Sequence, residues 1–298
     1  CLHRTKKKRI NKFNGIMNVK KIVLQTVLIF SMVGCSSRLA YNNLDWLADW
    51  YLGDFIDLTS TQQPEFESKL GNILIWHRQI ELMKYRDQLL LLQSQNRQGS
   101  INTQQWSVHL QKLADHWLRI RNKVSLDMAS MAPSLSKKQV TSFFAALAEN
   151  NEEKREEFLE LSSQEAKEER FDEIVETFEE RLGSLNSSQE DIIHEFVNAS
   201  NKTPLIYMAY SERFQKGLKH TFEQGEPLKL PQRLYEVMVH PEQFKTADSI
   251  KQDEKEKTLL VAMLEKMNAS QTAKQNKHFE KEIQELIEMM EALMGDKG

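Results

Sequence analysis

LTSTQQPEFESKLGNILIWHRQIELMKYRDQLLLLQSQ, residues 58–95, is the stretch whose reading decides the fold. The Thr59 hydroxyl can accept an orphan amide of a first helical turn, while Gln62, three residues on, can reach back to the amide of Thr59. This reciprocal exchange is a capping box. Behind it, Phe66, Leu70, Ile73, Leu74, His77 and Ile80 fall on one face at helical spacing. The spacing predicts one helix from about Ser60 to Gln95, roughly 50 Å long at ~1.5 Å per residue. The turn SQNRQGSI, with Gly99, ends it.

The same signal recurs in Ile101-Asn102-x-x-Gln105, Leu135-Ser136-x-x-Gln139, Leu185-Asn186-x-x-Gln189 and Met267-Asn268-x-x-Gln271. Each predicts a helix start, with Trp106 and Val140 at the staple position against the preceding apolar residue. A second helix should run from Thr103 to Met131 and stop at Pro133-Ser134. The pattern from Lys137 to Leu182 is helical too, with a lapse at Ser162-Ser163-Gln164-Glu165 where the helix can break and restart on another cap. Shorter helices follow at 187–200 and 204–222, the latter opened by Thr203 and Pro204. Pro227, Pro231 and Pro241 forbid one continuous helix between Gly225 and Pro241. Helices resume at 247–266 and 269–293, where Phe279, Ile283, Leu286, Ile287 and Met290 form a stripe.

Cap spacings of 43, 34, 50 and 82 residues are too irregular for a solenoid. With few glycines and prolines and no alternating β-branched runs, the chain reads as all-α. The architecture expected is an elongated bundle of about seven or eight helices, several long and antiparallel because their connections are short. Residues 35–298 form one domain, with subregions 39–131, 137–222 and 241–294.

Upstream lies MNVKKIVLQTVLIFSMVGC, residues 17–35. Lys20 and Lys21 precede an apolar run from Ile22 to Val33 that is shorter than the roughly 20 residues needed to span a bilayer. A basic start, a short apolar middle and a small residue at the cut describe an export signal. Met32-Val33-Gly34-Cys35 resembles the lipobox of bacterial lipoproteins, which implies a signal peptide at 17–34 and a Cys35 carrying S-diacylglycerol and an N-acyl chain such as palmitate. Several acyl chains on one cysteine anchor a protein far more durably than one. By resemblance to lipoprotein sorting rules, Ser36 after the cysteine implies the periplasmic face of the outer membrane. Residues 1–16 are basic and read as an upstream extension.

All eight basic residues before Cys35 would leave with the signal, so the counts of 40 basic and 43 acidic residues become 32 and 43, a formal charge of −11. That balance argues against nucleic acid as a partner. The second cysteine, Cys1, would leave as well, which rules out a disulfide within the processed chain. The segment 149–181 holds 14 acidic and five basic residues, read as a solvated helix face. Leu39–Phe55 carries Leu44, Leu47, Trp50 and Tyr51 on one face. Trp46, Trp50 and Tyr51 suit either a headgroup layer or the helical core.

The densest polar cluster is Trp76, His77, Arg78, Glu81 and Tyr85 on the first long helix. Folding back at Gly99 would bring His116, Trp117 and Arg121 opposite Glu81, with His109 on the same face. No HExxH, closely spaced His/Cys set, GxSxG, P-loop or GxGxxG occurs. The cluster therefore reads as a buried ion-pair network fixing helix register, not as a catalytic, metal or cofactor site. Methionines 263, 267, 289, 290 and 294 read as core, with an adaptable binding surface as the alternative.

The run from Cys35 through Tyr41-Asn42-x-x-Asp45-Trp46 and Leu58-Thr59-x-x-Gln62 to Trp76-His77-Arg78-x-x-Glu81-Leu82-x-x-Tyr85 resembles an uncharacterised family of proteobacterial lipoproteins, a domain of unknown function. Met83 stands where that family has proline, implying a straighter helix. Leu58-Thr59-x-x-Gln62 also resembles the LTxxQ motif of Spy and CpxP type periplasmic proteins, which implies an ATP-independent chaperone or stress-response role with unfolded clients. The first reading is a non-enzymatic, lipid-anchored scaffold that binds envelope proteins, with no cofactor. The chaperone is the alternative.

Overall fold

A computed structural model describes residues 41–200, 204–224 and 226–295. The lipobox, Cys35, the upstream segment and the Thr203 cap lie outside the described residues. Within them the chain is all-α. Helix α1 spans Leu44–Gly53, α2 Gln63–Trp76, α3 Leu82–Gln98, α4 Thr103–Met131 and α5 Lys137–Leu159. After these come α6 Ser163–Leu182, α7 Ser187–Ala199, α8 Pro204–Glu223, α9 Leu230–Val239, α10 Ala247–Ala269 and α11 Ala273–Gly295.

Capping boxes form at Asn102 with Gln105, at Ser136 with Gln139 and at Asn186 with Gln189. A further box, Ser162 with Glu165, splits the 137–182 segment into α5 and α6. Thr59 and Gln62 also exchange both box bonds, at 2.9 and 3.3 Å, although regular α-helix begins only at Gln63. Asn268 is a correction. It sits inside the end of α10, 7 % exposed, with its Oδ1 accepting the Ile101 amide at 2.7 Å. The box that opens α11 is Thr272 with Gln275, four residues later. Gly99 and Gly183 terminate α3 and α6 with φ of +138° and +79°, conformations that L side chains resist.

A π turn, His77–Glu81, joins α2 to α3 without a break in the helix. The extra residue in a π turn rotates everything after it. Ile80, assigned inward by α-helical spacing, is 40 % exposed, whereas Glu81 and Leu82 are 0 % and 3 % exposed. The inward face continues through Gln88, Leu89, Gln93 and Asn96.

Partner contacts fix directions. Glu81 meets Arg119, and Gln95 meets His109, so α4 runs antiparallel to α3. Gln93 bonds Gln284 and Asn96 bonds Glu280, which makes α11 antiparallel to α3 on its other side. The stripe of α11 (Ile283, Leu286, Ile287, Met290, Leu293) packs there against Leu82 and Leu89. Each such side chain contributes roughly 1.5–3 kcal/mol through burial. A second core joins Ile174 and Leu182 of α6, Ile193, Phe196 and Val197 of α7, and Met263 and Met267 of α10. Those methionines are core, as is Met290. Pro231 sits in the first turn of α9, where a missing amide costs little, so the proline-rich stretch still contains a helix.

Candidate functional site

The π turn aims Glu81 into the α3–α4 seam. Its carboxylate accepts from Arg119 Nε at 2.6 Å and Nη2 at 3.0 Å, a bidentate pair at a position with no solvent exposure. His116 lies beside it, with Nδ1 3.3 Å from Glu81 Oε2 and Nε2 2.8 Å from Gln88 Oε1. Gln88 spends its amide nitrogen on the His109 carbonyl, so its oxygen must accept, and His116 Nε2 carries the proton. Burial pulls the His116 pKa below its ordinary value, so the ring is neutral and Nδ1 receives Arg119 Nη2–H. The bond to Glu81 strengthens Arg119 as a cation.

The network extends outward through rings. Tyr85 stands edge-on to His116 at 4.4 Å and to His77 at 5.5 Å. The Tyr41 hydroxyl is 2.9 Å from His77 Nδ1, and Arg78 donates to Asn42 at 3.2 Å. Burial drops His77 to about 4 and pushes the phenol of Tyr85 well up, so both are uncharged at neutral pH. The arrangement fixes the Glu81 and Arg119 charges against each other in the seam.

Of the residues singled out by sequence, His77, Arg78, Glu81, Tyr85 and His116 are brought together. Arg121 is not: its Nη2 donates to the Val239 carbonyl at 2.6 Å and its other amino group faces Glu242. Arg119 takes its place. Trp76 is half-buried and has no part in these hydrogen bonds, and Trp117, 47 % exposed, faces a different feature. His109 binds Gln95 at 2.8 Å, with burial lowering its pKa to about 4. Among the described residues no three His, Cys, Asp or Glu side chains are grouped to hold a metal ion.

Sequence reasoning missed that the capping boxes pair with one another. Gln62 and Gln139 bond side chain to side chain at 2.7 Å, and each also reaches a backbone carbonyl, Ser134 and Asp57 respectively. Gln189 and Gln275 repeat the arrangement at 2.8 Å, with Ser270 and Ser184 supplying the carbonyls. Each glutamine thus caps its own helix and staples it to another helix start. Gln189 is fully buried.

A cavity of about 1680 Å³ opens between helices, bordered by Leu110, Leu113 and Trp117 of α4, Phe158 of α5, Phe178 of α6 and Leu260 of α10. It is larger than the roughly 300–1,000 Å³ usual for small-molecule sites. Its charged lining is mixed in sign, with Lys154, Lys167 and Lys257 near Glu157, Glu169 and Glu256. Among its lining residues, Trp106 Nε1, His109 Nδ1, and Arg181 Nε and Nη2 are buried without hydrogen-bond partners, although Arg181 is ion-paired through Nη1 with Glu282 at 3.0 Å and through Nη2 with Glu180 at 3.6 Å. With Nε2 donating to Gln95 and the ring neutral, His109 Nδ1 is an orphan acceptor, whereas Trp106 Nε1 is an orphan donor.

No curated protein and no solved structure matches the chain. A family model described as "Family of unknown function (DUF6279)" matches residues 54–250, which take in the π turn, the Glu81–Arg119 pair, the first five capping boxes and much of the cavity wall, and the chain belongs to that family.

Proposed function

We propose that the chain is a lipid-anchored, non-enzymatic binding module of the cell envelope, held at the periplasmic face of the outer membrane through acylated Cys35 and engaging other envelope proteins along its helices. The observation that carries this reading is the cavity. It exceeds a small-substrate pocket in volume, and apolar side chains from several helices make up much of its wall. The buried Glu81–Arg119 pair fits the same reading, because each charge is met by the other. Among the described residues no helix is long and apolar enough to cross a membrane; in this reading attachment rests on the cysteine.

The test is crosslinking in cells. Wild type should capture discrete envelope partners that disappear with Cys35→Ala. No partner above background, or the same partners without the anchor, contradicts the proposal.

A second reading, an ATP-independent periplasmic chaperone, is favoured by the paired boxes, since one of them contains Leu58-Thr59-x-x-Gln62. The chain from residue 36 onward should then suppress aggregation of an unfolded client at stoichiometric ratio. Unchanged aggregation removes this reading and leaves the first standing.

A further inference from the structure

Helix α1 wears its largest apolar side chains on the wrong side for a core. Leu44, Leu47, Ala48, Tyr51 and Phe55 are partly covered, while Trp46 and Trp50 are 62 % and 48 % exposed. The two indoles lie one helical turn apart and stack with centroids 6.4 Å apart and planes 14° apart. No residue of α1 is fully buried.

The direction in which this pair points is fixed from both ends. Ahead of the helix, Tyr41 bonds His77 and Asn42 bonds Arg78 on the π turn. Within it, Asp49 accepts from Gln63 at 2.8 Å, and beyond it the ring of Phe55 packs edge-on against Phe143 at 6.5 Å. These contacts set α1 antiparallel to α2 and leave the indole face outward.

We infer that α1 seats Trp46 and Trp50 in the headgroup layer of the membrane that holds Cys35, and that the surface they accept is zwitterionic lipid. This rests on the anchor reading. Eight residues, 36–43, separate Cys35 from α1. At about 3.5 Å per residue they reach at most ~28 Å, so an acylated cysteine keeps the pair within reach of the bilayer surface. Indole combines a broad apolar ring with one N–H donor, the chemistry that places tryptophan at membrane interfaces. Between residues 41 and 55 stand Asp45, Asp49 and Asp54 and no lysine or arginine. An anionic surface attracts basic segments and repels this one.

The experiment uses the full protein purified from the envelope, with its mass read first. Reconstituted into phosphatidylcholine–phosphatidylethanolamine vesicles, wild type is compared with Trp46→Phe/Trp50→Phe, and the difference in fluorescence isolates the two indoles from Trp76, Trp106 and Trp117. Quenching of that difference signal by aqueous iodide should fall at least threefold on reconstitution, and shallow brominated lipid should quench it. Replacing a third of the lipid with phosphatidylglycerol should restore much of the iodide quenching. An acylated protein whose indoles stay equally open to iodide overturns the seating of α1 and leaves the anchor intact. Equal behaviour on anionic vesicles overturns the choice of lipid. A mature protein without acyl chains overturns the anchor, and the inference with it.

Discussion

Arg119→Met and Glu81→Gln should destabilise the protein unequally, and the inequality follows from burial. Glu81 has no exposure, whereas the Arg119 side chain is 35 % exposed. Removing the arginine strands a carboxylate in the seam, and breaking a buried pair in this way costs roughly 3–5 kcal/mol. Removing the carboxylate charge strands a guanidinium that can turn toward water, so Glu81→Gln should cost only about 1–3 kcal/mol. The double variant should cost no more than Arg119→Met alone, a coupling of about 2 kcal/mol between residues that share two bonds. Thermal unfolding followed by far-UV circular dichroism reads this directly. At roughly 2–4 °C per kcal/mol for a domain of this size, Arg119→Met should lower Tm by about 6–20 °C. Additive costs, a larger loss for Glu81→Gln, or a shift under ~2 °C for Arg119→Met would refute the reasoning.

Three further outcomes are expected. Gln189→Leu, which removes a cap and the pair with buried Gln275, should cost about 2–4 kcal/mol, while Gln105→Leu, at an exposed box, should cost about 1 kcal/mol; denaturant midpoints compare them. His77 and His109 are both held near 4 by burial, so an unfolded chain takes up protons below about pH 6.5 that the fold refuses. Stability should be flat above that pH, fall between about 6.5 and 4 by up to roughly 3 kcal/mol per ring, and level off below; His77→Gln should remove its share, and an unchanged slope contradicts the assignment. Gly217→Ala should destabilise, although alanine favours a helix by ~1 kcal/mol, because its Cβ would run into the ring of Phe244; a raised Tm would contradict this.

Helix starts were legible where capping is local. Asn102, Ser136 and Asn186 open helices because their own oxygens reach amides three residues on, and sequence spacing contains that geometry. Asn268 misled because two overlapping solutions exist, Asn268 with Gln271 and Thr272 with Gln275, and a distant amide, Ile101 N, drew the asparagine into the core. The site was half legible for a similar reason. His77, Glu81 and Tyr85 follow from helical spacing, but which arginine faces them depends on the π turn and on the register of α4 against it. Nothing local distinguishes Arg119 from Arg121. Pairing between Gln62 and Gln139, 77 residues apart, is likewise a property of the assembled bundle. The indole pair was left between membrane and core by sequence, and the exposure of Trp46 and Trp50 takes it out of the core.

The central claim, that an anchored helical module binds its partners through the cavity, is tested most directly by site-specific photocrosslinking in cells. A photoreactive residue placed at Leu113 or Phe158, both on the cavity wall, is compared with one at exposed Glu288 on α11. Adducts to discrete envelope partners from the cavity positions, absent from position 288 and abolished by Cys35→Ala, are the expected result. Adducts equal from all three positions, or unchanged without the anchor, would contradict it.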